Sequence, residues 1–427
     1  MEKKINILFD AYILAEADFK GSARSGIFFT ALNLLKEFSK NEKINLSIYC
    51  SNKKASAKLK HTLDKYFPNN HFNNLYLEIL SPIEKVHTQL TCSYKDKKNP
   101  LTKLGIVASS ALKKALPKKY IDYEKLTNNI DIYFSPVYKI PDEIINIKSI
   151  KKYTLLYDII PIIFPEYFYD TDIDVEKYWF TKLWKQLNKH DYYFTISEYT
   201  KKDFVKHSSQ LDADKVTPVL LACSEIFKPE KDKTKASLKK YNIPTDKKYI
   251  FSLCTLEPRK NLIRAVKSFI DFVKKNNIND MVYILGGGAW DGFIEKMESE
   301  IPDFEKYKNL ILRAGYIDDD DLSPLYSGAE WFVYTSEYEG FGLPPLEAMS
   351  CGCPVITSNN SSLPEVVGNA GIMIDFDSDE QHIKAYETYY FNENLRKSYA
   401  QKGLERAKQF GWDKCANKMI TTMLQTI

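Results

Sequence analysis

Residues 338–356 read Tyr338-Glu-Gly-Phe-Gly-Leu-Pro-Pro-Leu-Glu-Ala-Met-Ser-Cys-Gly-Cys-Pro-Val-Ile356. Two carboxylates, Glu339 and Glu347, bracket a Gly-Phe-Gly-Leu loop and a Pro-Pro step. Pro345 suits the first position of a helix, because its missing N–H would have no partner there. Gly352 suits the position just past that helix, where a left-handed residue is wanted. The loop of Gly340, Phe341, Gly342 and Leu343 therefore runs into a helix N-terminus, where free N–H groups and the positive dipole end favour an anion. Glycines let a backbone approach a ligand closely. Glu339 and Glu347 repel phosphate, but each accepts hydrogen bonds from hydroxyls. A diphosphate joined to several sugar hydroxyls, a nucleotide sugar, fits both halves of the segment.

Outward from this segment, short apolar runs alternate with stretches of helical period. In the first half the strand candidates are 5–9, 46–50, 75–80, 131–135, 153–157 and 192–196. In the second they are 249–254, 281–285, 309–312, 331–335, 354–357 and 371–374. Between them lie amphipathic stretches, such as the one carrying Ile27, Ala31, Leu34, Leu35 and Phe38. Such alternation predicts α/β domains with parallel sheets covered on both faces. Two sets predict two Rossmann-like domains facing across a cleft. The polar stretch Lys228-Pro-Glu-Lys-Asp-Lys-Thr-Lys235 is the expected boundary, giving domains at 1–227 and 228–410.

Composition narrows the class. A chain of 427 residues with 44% hydrophobic content holds two ordinary cores, and a net charge of +4 is no signature of nucleic-acid binding. Seven scattered cysteines, an odd number, read as reduced thiols, which points to a cytoplasmic setting. The close pair Cys351 and Cys353 has no second pair or nearby His to complete a zinc site. The N-terminus passes directly into the run at Ile5, with no targeting segment expected. No apolar stretch approaches the ~20 residues that span a bilayer.

The 338–356 segment resembles the Glu-x7-Glu motif of retaining glycosyltransferases of the GT-B fold, specifically glycosyltransferase family 4. The resemblance takes in Leu256-Glu-Pro-Arg-Lys-Asn-Leu262, Ala314-Gly-Tyr-Ile317, Leu322-Ser-Pro-Leu-Tyr-Ser-Gly-Ala329 and Ser361-Ser-Leu-Pro-Glu-Val366. It is thinner in the first half, at Ser25-Gly-Ile27, Tyr157-Asp-Ile-Ile-Pro161 and Thr195-Ile-Ser-Glu-Tyr199. It implies a GT-B architecture whose last helix, 411–427, packs back on the N-terminal domain. It also implies transfer of a hexose from a nucleoside diphosphate sugar to a glycan or lipid-linked glycan, with retention and without a metal cofactor.

The residues themselves say why particular positions matter. Arg259 and Lys260 follow a strand and precede a helix expected to be capped at Asn261. Cations there oppose the macrodipole, and such a local conflict marks a functional site that a diphosphate would resolve. The resemblance implies that Lys260 and Arg259 neutralise the leaving diphosphate. It implies that Glu339 holds the sugar hydroxyls, that Glu347 holds the ribose, and that Gly315, Tyr316 and Ile317 bracket the base. Glu347 has a competing reading as the third helical residue of a capping box, which Pro344 leaves incomplete. Asp158 stands at a strand end, where α/β sheets place ligands. Relatives often have His-Asp here and this chain has Tyr157-Asp158, so Tyr157 is either a sugar contact or a core aromatic. Gly26 and Arg24, in Gly21-Ser-Ala-Arg-Ser-Gly-Ile27, are the expected N-terminal contribution, to phosphate or acceptor.

Other segments carry weaker signals. Gly286-Gly-Gly288 reads as a plain strand-to-helix turn. Asp318 to Asp321 precede a helix expected at Leu322 and suit its positive end better than a metal. Asp172/Asp174, Asp212/Asp214 and Asp377/Asp379 lack a following nucleotide motif. The basic segment 94–125, with apolar residues near helical spacing, is either a face for an anionic membrane or a solvated insertion. GDP-mannose is the favoured donor in bacterial surface-polysaccharide assembly, by resemblance. A UDP-sugar or deoxyhexose donor, a GT-B epimerase, and a non-catalytic nucleotide- or glycan-binding module stay open. An oxidoreductase is disfavoured, because no Gly-x-Gly-x-x-Gly opens the first strand–helix turn.

Overall fold

A computed structural model describes residues 4–16, 26–50, 53–68, 72, 75–77, 86, 90, 100–115, 126–169, 178–288 and 292–427. Two parallel sheets organise the chain. The first contains β1 (Ile5–Asp10), β2 (Ile44–Cys50), β3 (Leu75–Leu77), β4 (Ile132–Ser135), β5 (Lys151–Leu156), β6 (Tyr192–Thr195) and β7 (Val216–Pro218), in the order β3-β2-β1-β4-β5-β6-β7. The second contains β8 (Lys248–Leu253), β9 (Met281–Gly286), β10 (Ile311–Gly315), β11 (Trp331–Tyr334), β12 (Val355–Ser358) and β13 (Ile372–Ile374), in the order β10-β9-β8-β11-β12-β13. All twelve expected strands are present. The short β7 was not foreseen, because three residues ending in proline carry no readable period.

The strands form because they are continuous apolar runs suited to burial on both faces. Every residue of β9, β11 and β12 is buried. The helices pack by periodicity. Helix Leu262–Asn276 buries Leu262, Ala265, Val266, Phe269, Ile270 and Val273, and stops at Asn277 in the left-handed region with φ 53°. The second core is aromatic, with Trp331 stacked on Tyr386 and Phe269 edge-on to Tyr283. In the first, Phe9, Phe38 and Phe134 pack with ring centroids 5.3–5.9 Å apart.

The compact units differ from the expected domain limits. One comprises Met1–Leu155, Asp174–Tyr193 and Ile420–Ile427; the other comprises Leu156–Ile173 and Phe194–Met419. The divisions at 227 and 410 therefore do not coincide with the compact units, although both sheets respect residue 228. The segment from Phe194 joins the second unit through hydrogen bonds from helix Glu198–His207 and its cap to residues 338–340. The last helix, Trp412–Leu424, spans the division at Ile420. Beyond it, Thr426 lies 2.9 Å from the Tyr153 hydroxyl within the first unit.

In each sheet the strand order reverses beside its first strand, at β1/β4 and β8/β11. The crevice at the carboxyl ends of such a pair is where open α/β sheets bind ligands. The loops leaving β8 and β11 carry Arg259–Lys260 and Glu339–Leu343, so topology alone brings these distant residues to one place.

Candidate active site

The site is built on the β8 and β11 loops of the second unit. After β8, Pro258–Lys260 forms one 3-10 turn. Asn261 ends it at φ 56° and does not cap the next helix with its side chain; its amide donates to the carbonyls of Thr335 and Phe376 instead. The expected cap is thus a tie to the β11 loop. Arg259 is buried and its Nη1 donates to the Tyr338 carbonyl at 3.0 Å and to Glu339 Oε1 at 3.2 Å. Its Nε lies 2.9 Å from Glu257 Oε2. Lys260 Nζ donates to the same Glu339 oxygen at 2.5 Å and to the Tyr334 hydroxyl at 2.7 Å. The Tyr334 hydroxyl in turn donates to Glu339 Oε1 at 2.9 Å.

Arg259, Lys260 and Glu339 thus form one buried ionic cluster. Burial alone would push the Glu339 carboxyl up, but the Lys260 and Arg259 charges pull it below the usual carboxylate range. Burial opposes the Arg259 charge, and the Glu339 and Glu257 carboxylates more than restore it. Asp158 completes the acidic side. Its Oδ1 accepts the Ile160 N–H at 3.1 Å, yet burial holds its pKa above the ordinary value. Tyr157 is buried, 8% exposed.

The Gly340–Leu343 loop is held from behind by hydroxyls. The Glu339 N–H donates to Ser361 Oγ at 3.0 Å. Ser362 Oγ lies 2.9 Å from the Glu339 carbonyl oxygen and 2.6 Å from that of Phe341. The Gly340 carbonyl oxygen lies 2.8 Å from Ser197 Oγ and 2.9 Å from Thr200 Oγ1. Three successive carbonyls thus face hydroxyls, with the single Ser362 proton shared between those of Glu339 and Phe341. The N–H groups of Gly340, Phe341 and Gly342 take no acceptor among the described residues. Anchored carbonyls with free amides make an anion-binding concavity.

The helix after this loop starts earlier than expected. It runs Leu343–Ser350, with Gly342 at its cap position and φ 126°. Pro344 and Pro345 are its second and third residues, where a missing N–H again costs nothing. Glu347 is therefore the fifth residue, too far along for a capping box. The helix ends as expected, with Gly352 at φ 73°. Glu347 Oε2 accepts the Tyr326 hydroxyl at 3.0 Å. Burial, with the Asp319 charge adding to it, outweighs that hydrogen bond and pushes the Glu347 carboxyl up to about 7.

The remaining residues are placed as follows. Gly315 has φ 68° at the end of β10, its carbonyl accepts the Gly287 N–H at 2.8 Å, Tyr316 is 73% exposed and Ile317 is buried. The Asp318–Asp321 run is not a prelude to a helix at Leu322, because the helix starts at Asp319. Asp318 and Asp321 are engaged by Lys240, and Asp321 also by Ser237 and Tyr241. In the first unit, Gly26 opens helix Gly26–Lys40, and the short helix Tyr12–Glu16 stands between it and β1, so the expected simple turn is longer. Arg24, Asp172/Asp174 and the parts of 94–125 outside helix Pro100–Ala115 lie outside the described residues. Tyr334, Ser197, Thr200, Ser361 and Ser362 were not foreseen in the site. The only signal was that three of them, Ser197, Ser361 and Ser362, fall in segments carrying the family resemblance.

Comparisons with known proteins show the family and the fold. The model of the glycosyl transferases group 1 family matches residues 233–406. The O-antigen chain mannosyltransferase B of Escherichia coli is 31% identical over 68% of this chain and 73% of its own length. The serotype-specific mannosyltransferase WbdA of Escherichia coli is 26% identical over 65% of this chain, which spans only 34% of that larger protein. The crystal structure of Anabaena Alr3699/HepE in complex with UDP and glucose shares the fold, with a TM-score of 0.63 over 99% of this chain and 100% of that one at 14% identity. With its two Rossmann-like domains of the GT-B type, and with a relative of this similarity, the chain belongs to the group 1 glycosyltransferases.

Proposed function

We propose that this glycosyltransferase moves a hexose from a nucleoside diphosphate sugar to a glycan or lipid-linked glycan hydroxyl, with retention and without a metal. The observation that carries the donor reading is the set of free amides at Gly340–Gly342, beside Lys260, Arg259 and Glu339. In this reading the amides and the two cations receive the diphosphate. Glu339 exchanges its cations for sugar hydroxyls, and Glu347 accepts the ribose hydroxyls. The acceptor oxygen bonds to the anomeric carbon on the face from which the phosphate leaves. As the bond from anomeric carbon to phosphate oxygen breaks, that oxygen takes the acceptor proton.

Mannose from GDP-mannose is the favoured donor, supported by two relatives named as mannosyltransferases. The proposed setting is the cytoplasm at the inner face of the membrane. No helix among the described residues is long and apolar enough to cross a bilayer. Contact with that face is assigned to helix Pro100–Ala115, where Leu104 and Val107 are 72% and 63% exposed. Thermal shifts with GDP, UDP, ADP and dTDP, followed by turnover of the matching sugar nucleotide, test the donor reading. A ligand at 100 times its Kd stabilises by about 2.7 kcal/mol. Lys260→Ala should then cost about 10²–10³ in rate. A null shift with all four nucleotides refutes the reading.

A further inference from the structure

Segments 195–199 and 361–366 carry the family resemblance but receive no role in the donor reading above. Their geometry supplies one. Ser197 caps helix Glu198–His207, its Oγ accepting the Thr200 N–H at 3.0 Å. Thr200 lies on the first turn of that helix, and Ser197 and Thr200 are both fully buried. Each hydroxyl carries one proton. The two oxygens also lie 2.8 Å apart, and Thr200 Oγ1 lies 3.2 Å from the Tyr157 carbonyl oxygen. One hydroxyl therefore donates to the Gly340 carbonyl while the other supports it through their mutual hydrogen bond. Glu365 fixes the same helix end, accepting the N–H groups of Glu198 at 2.8 Å and Tyr199 at 2.6 Å. One turn later, Asp203 accepts the Tyr338 hydroxyl at 2.6 Å. The helix therefore grips residues 338–340 at two points.

We infer that Ser197 and Thr200 are positioning residues for the donor diphosphate, acting through the Gly340 carbonyl. A peptide unit is planar, so fixing the Gly340 carbonyl fixes the direction of the Phe341 N–H on the other side of the same amide. That N–H belongs to the set proposed to meet the phosphate. If the carbonyl is released, the peptide can rotate and the amide no longer points at the anion. The two hydroxyls touch no ligand themselves. The inference rests on the proposed donor reading, and it makes a separate claim about how the phosphate contact is held.

The test compares affinities for a nucleoside diphosphate and its monophosphate by calorimetry on the full chain, GDP with GMP or the pair whose base gives the larger thermal shift. The wild type should prefer the diphosphate. Thr200→Val keeps shape and removes the hydroxyl; Thr200→Ser keeps the hydroxyl. Thr200→Val should lose about tenfold in diphosphate affinity with monophosphate affinity unchanged, and Thr200→Ser should keep the preference. Ser197→Ala provides an independent route should Thr200→Val fold poorly. A general loss of stability would weaken both nucleotides together. An undiminished preference in Thr200→Val and Ser197→Ala overturns the inference, as does equal loss in Thr200→Val and Thr200→Ser. Wild-type protein that binds no nucleotide overturns the donor reading beneath it, a result distinct from either.

Discussion

The proposed contact of Glu347 with the ribose makes nucleotide binding depend on pH, in a way that the residue's surroundings quantify. The carboxyl receives one hydrogen bond, from Tyr326, while burial and the nearby Asp319 charge push it up to about 7. The gap from the ordinary 4.5 corresponds to about 3 kcal/mol of cost for holding the ionised form in the folded chain. For a carboxyl raised in this way, the stabilising contribution is fully present below pH 4.5 and is lost as the pH rises through about 7. Ribose hydroxyls donating to Glu347 favour the carboxylate, so binding must expel a proton wherever the free protein holds one. At pH 6 that expulsion costs about 1.4 kcal/mol, about tenfold in affinity, and above pH 8 it costs almost nothing.

Calorimetry with the preferred nucleoside diphosphate from pH 5.5 to 8, in two buffers of different ionisation enthalpy, measures both affinity and protons released. The diphosphate titrates near pH 6 on its own account, and Glu347→Gln carries that background alone. The wild type should therefore gain affinity more steeply than Glu347→Gln up to about pH 7, and should release more protons at pH 6. Glu347→Gln should also raise the melting temperature of the free protein at pH 8 and change it little at pH 4.5. Parallel affinity curves for the two proteins would refute the assignment of Glu347 to the ribose.

Three further outcomes follow from the same geometry. A methyl group on Gly340 would stand 2.7 Å from the Tyr157 carbonyl oxygen and 3.0 Å from Asp158 Cβ; Gly340→Ala should cost about 1–3 kcal/mol of stability and depress turnover, as thermal melts and donor kinetics will record. Tyr334→Phe keeps the ring 5.0 Å from Lys260 Nζ but removes the hydroxyl between Lys260 and Glu339; hydrogen bonds to charged groups are worth about 1.5–3 kcal/mol, so kcat/KM should fall about 10- to 100-fold, and unchanged kinetics would place that hydroxyl outside the chemistry. Leu104→Asp with Val107→Asp should abolish co-sedimentation with anionic vesicles at low salt, and wild-type protein that stays in the supernatant removes the membrane proposal.

The strands were legible because doubly covered parallel sheets demand continuous apolar runs, and such runs stand out between polar helices. Their edges shifted by up to three residues, as at β10, expected at 309–312 and found at Ile311–Gly315, since hydrogen bonding rather than hydrophobicity decides where a strand ends. Arg259 and Lys260 were legible for the opposite reason, as cations standing where a helix dipole discourages them. The helix start at Leu343 was misplaced because two consecutive prolines fit any of the first three helical positions equally well. Only the backbone of Gly342, at φ 126°, chooses between them. Tyr334 had no signal at all, since an aromatic ending an apolar strand reads as core.

The hydroxyls behind the Gly340 loop expose a more general limit. Serine and threonine are abundant, and nothing local distinguishes one that caps a helix from one that also reaches a carbonyl more than a hundred residues away. Ser197 does both, accepting from Thr200 within its own helix and lying 2.8 Å from the Gly340 carbonyl. The glycines of the loop explain how a phosphate could approach, but freedom to approach is also freedom to turn away. An anion site on such a backbone needs something to remove that freedom without occupying the amides. Here it is supplied by hydroxyls that face the opposite ends of these peptides, from two segments distant in sequence. In the proposed reading Glu339 and Lys260 set what the site binds, and Ser197, Thr200 and Ser362 give the Gly340–Gly342 loop a defined direction in which to bind it.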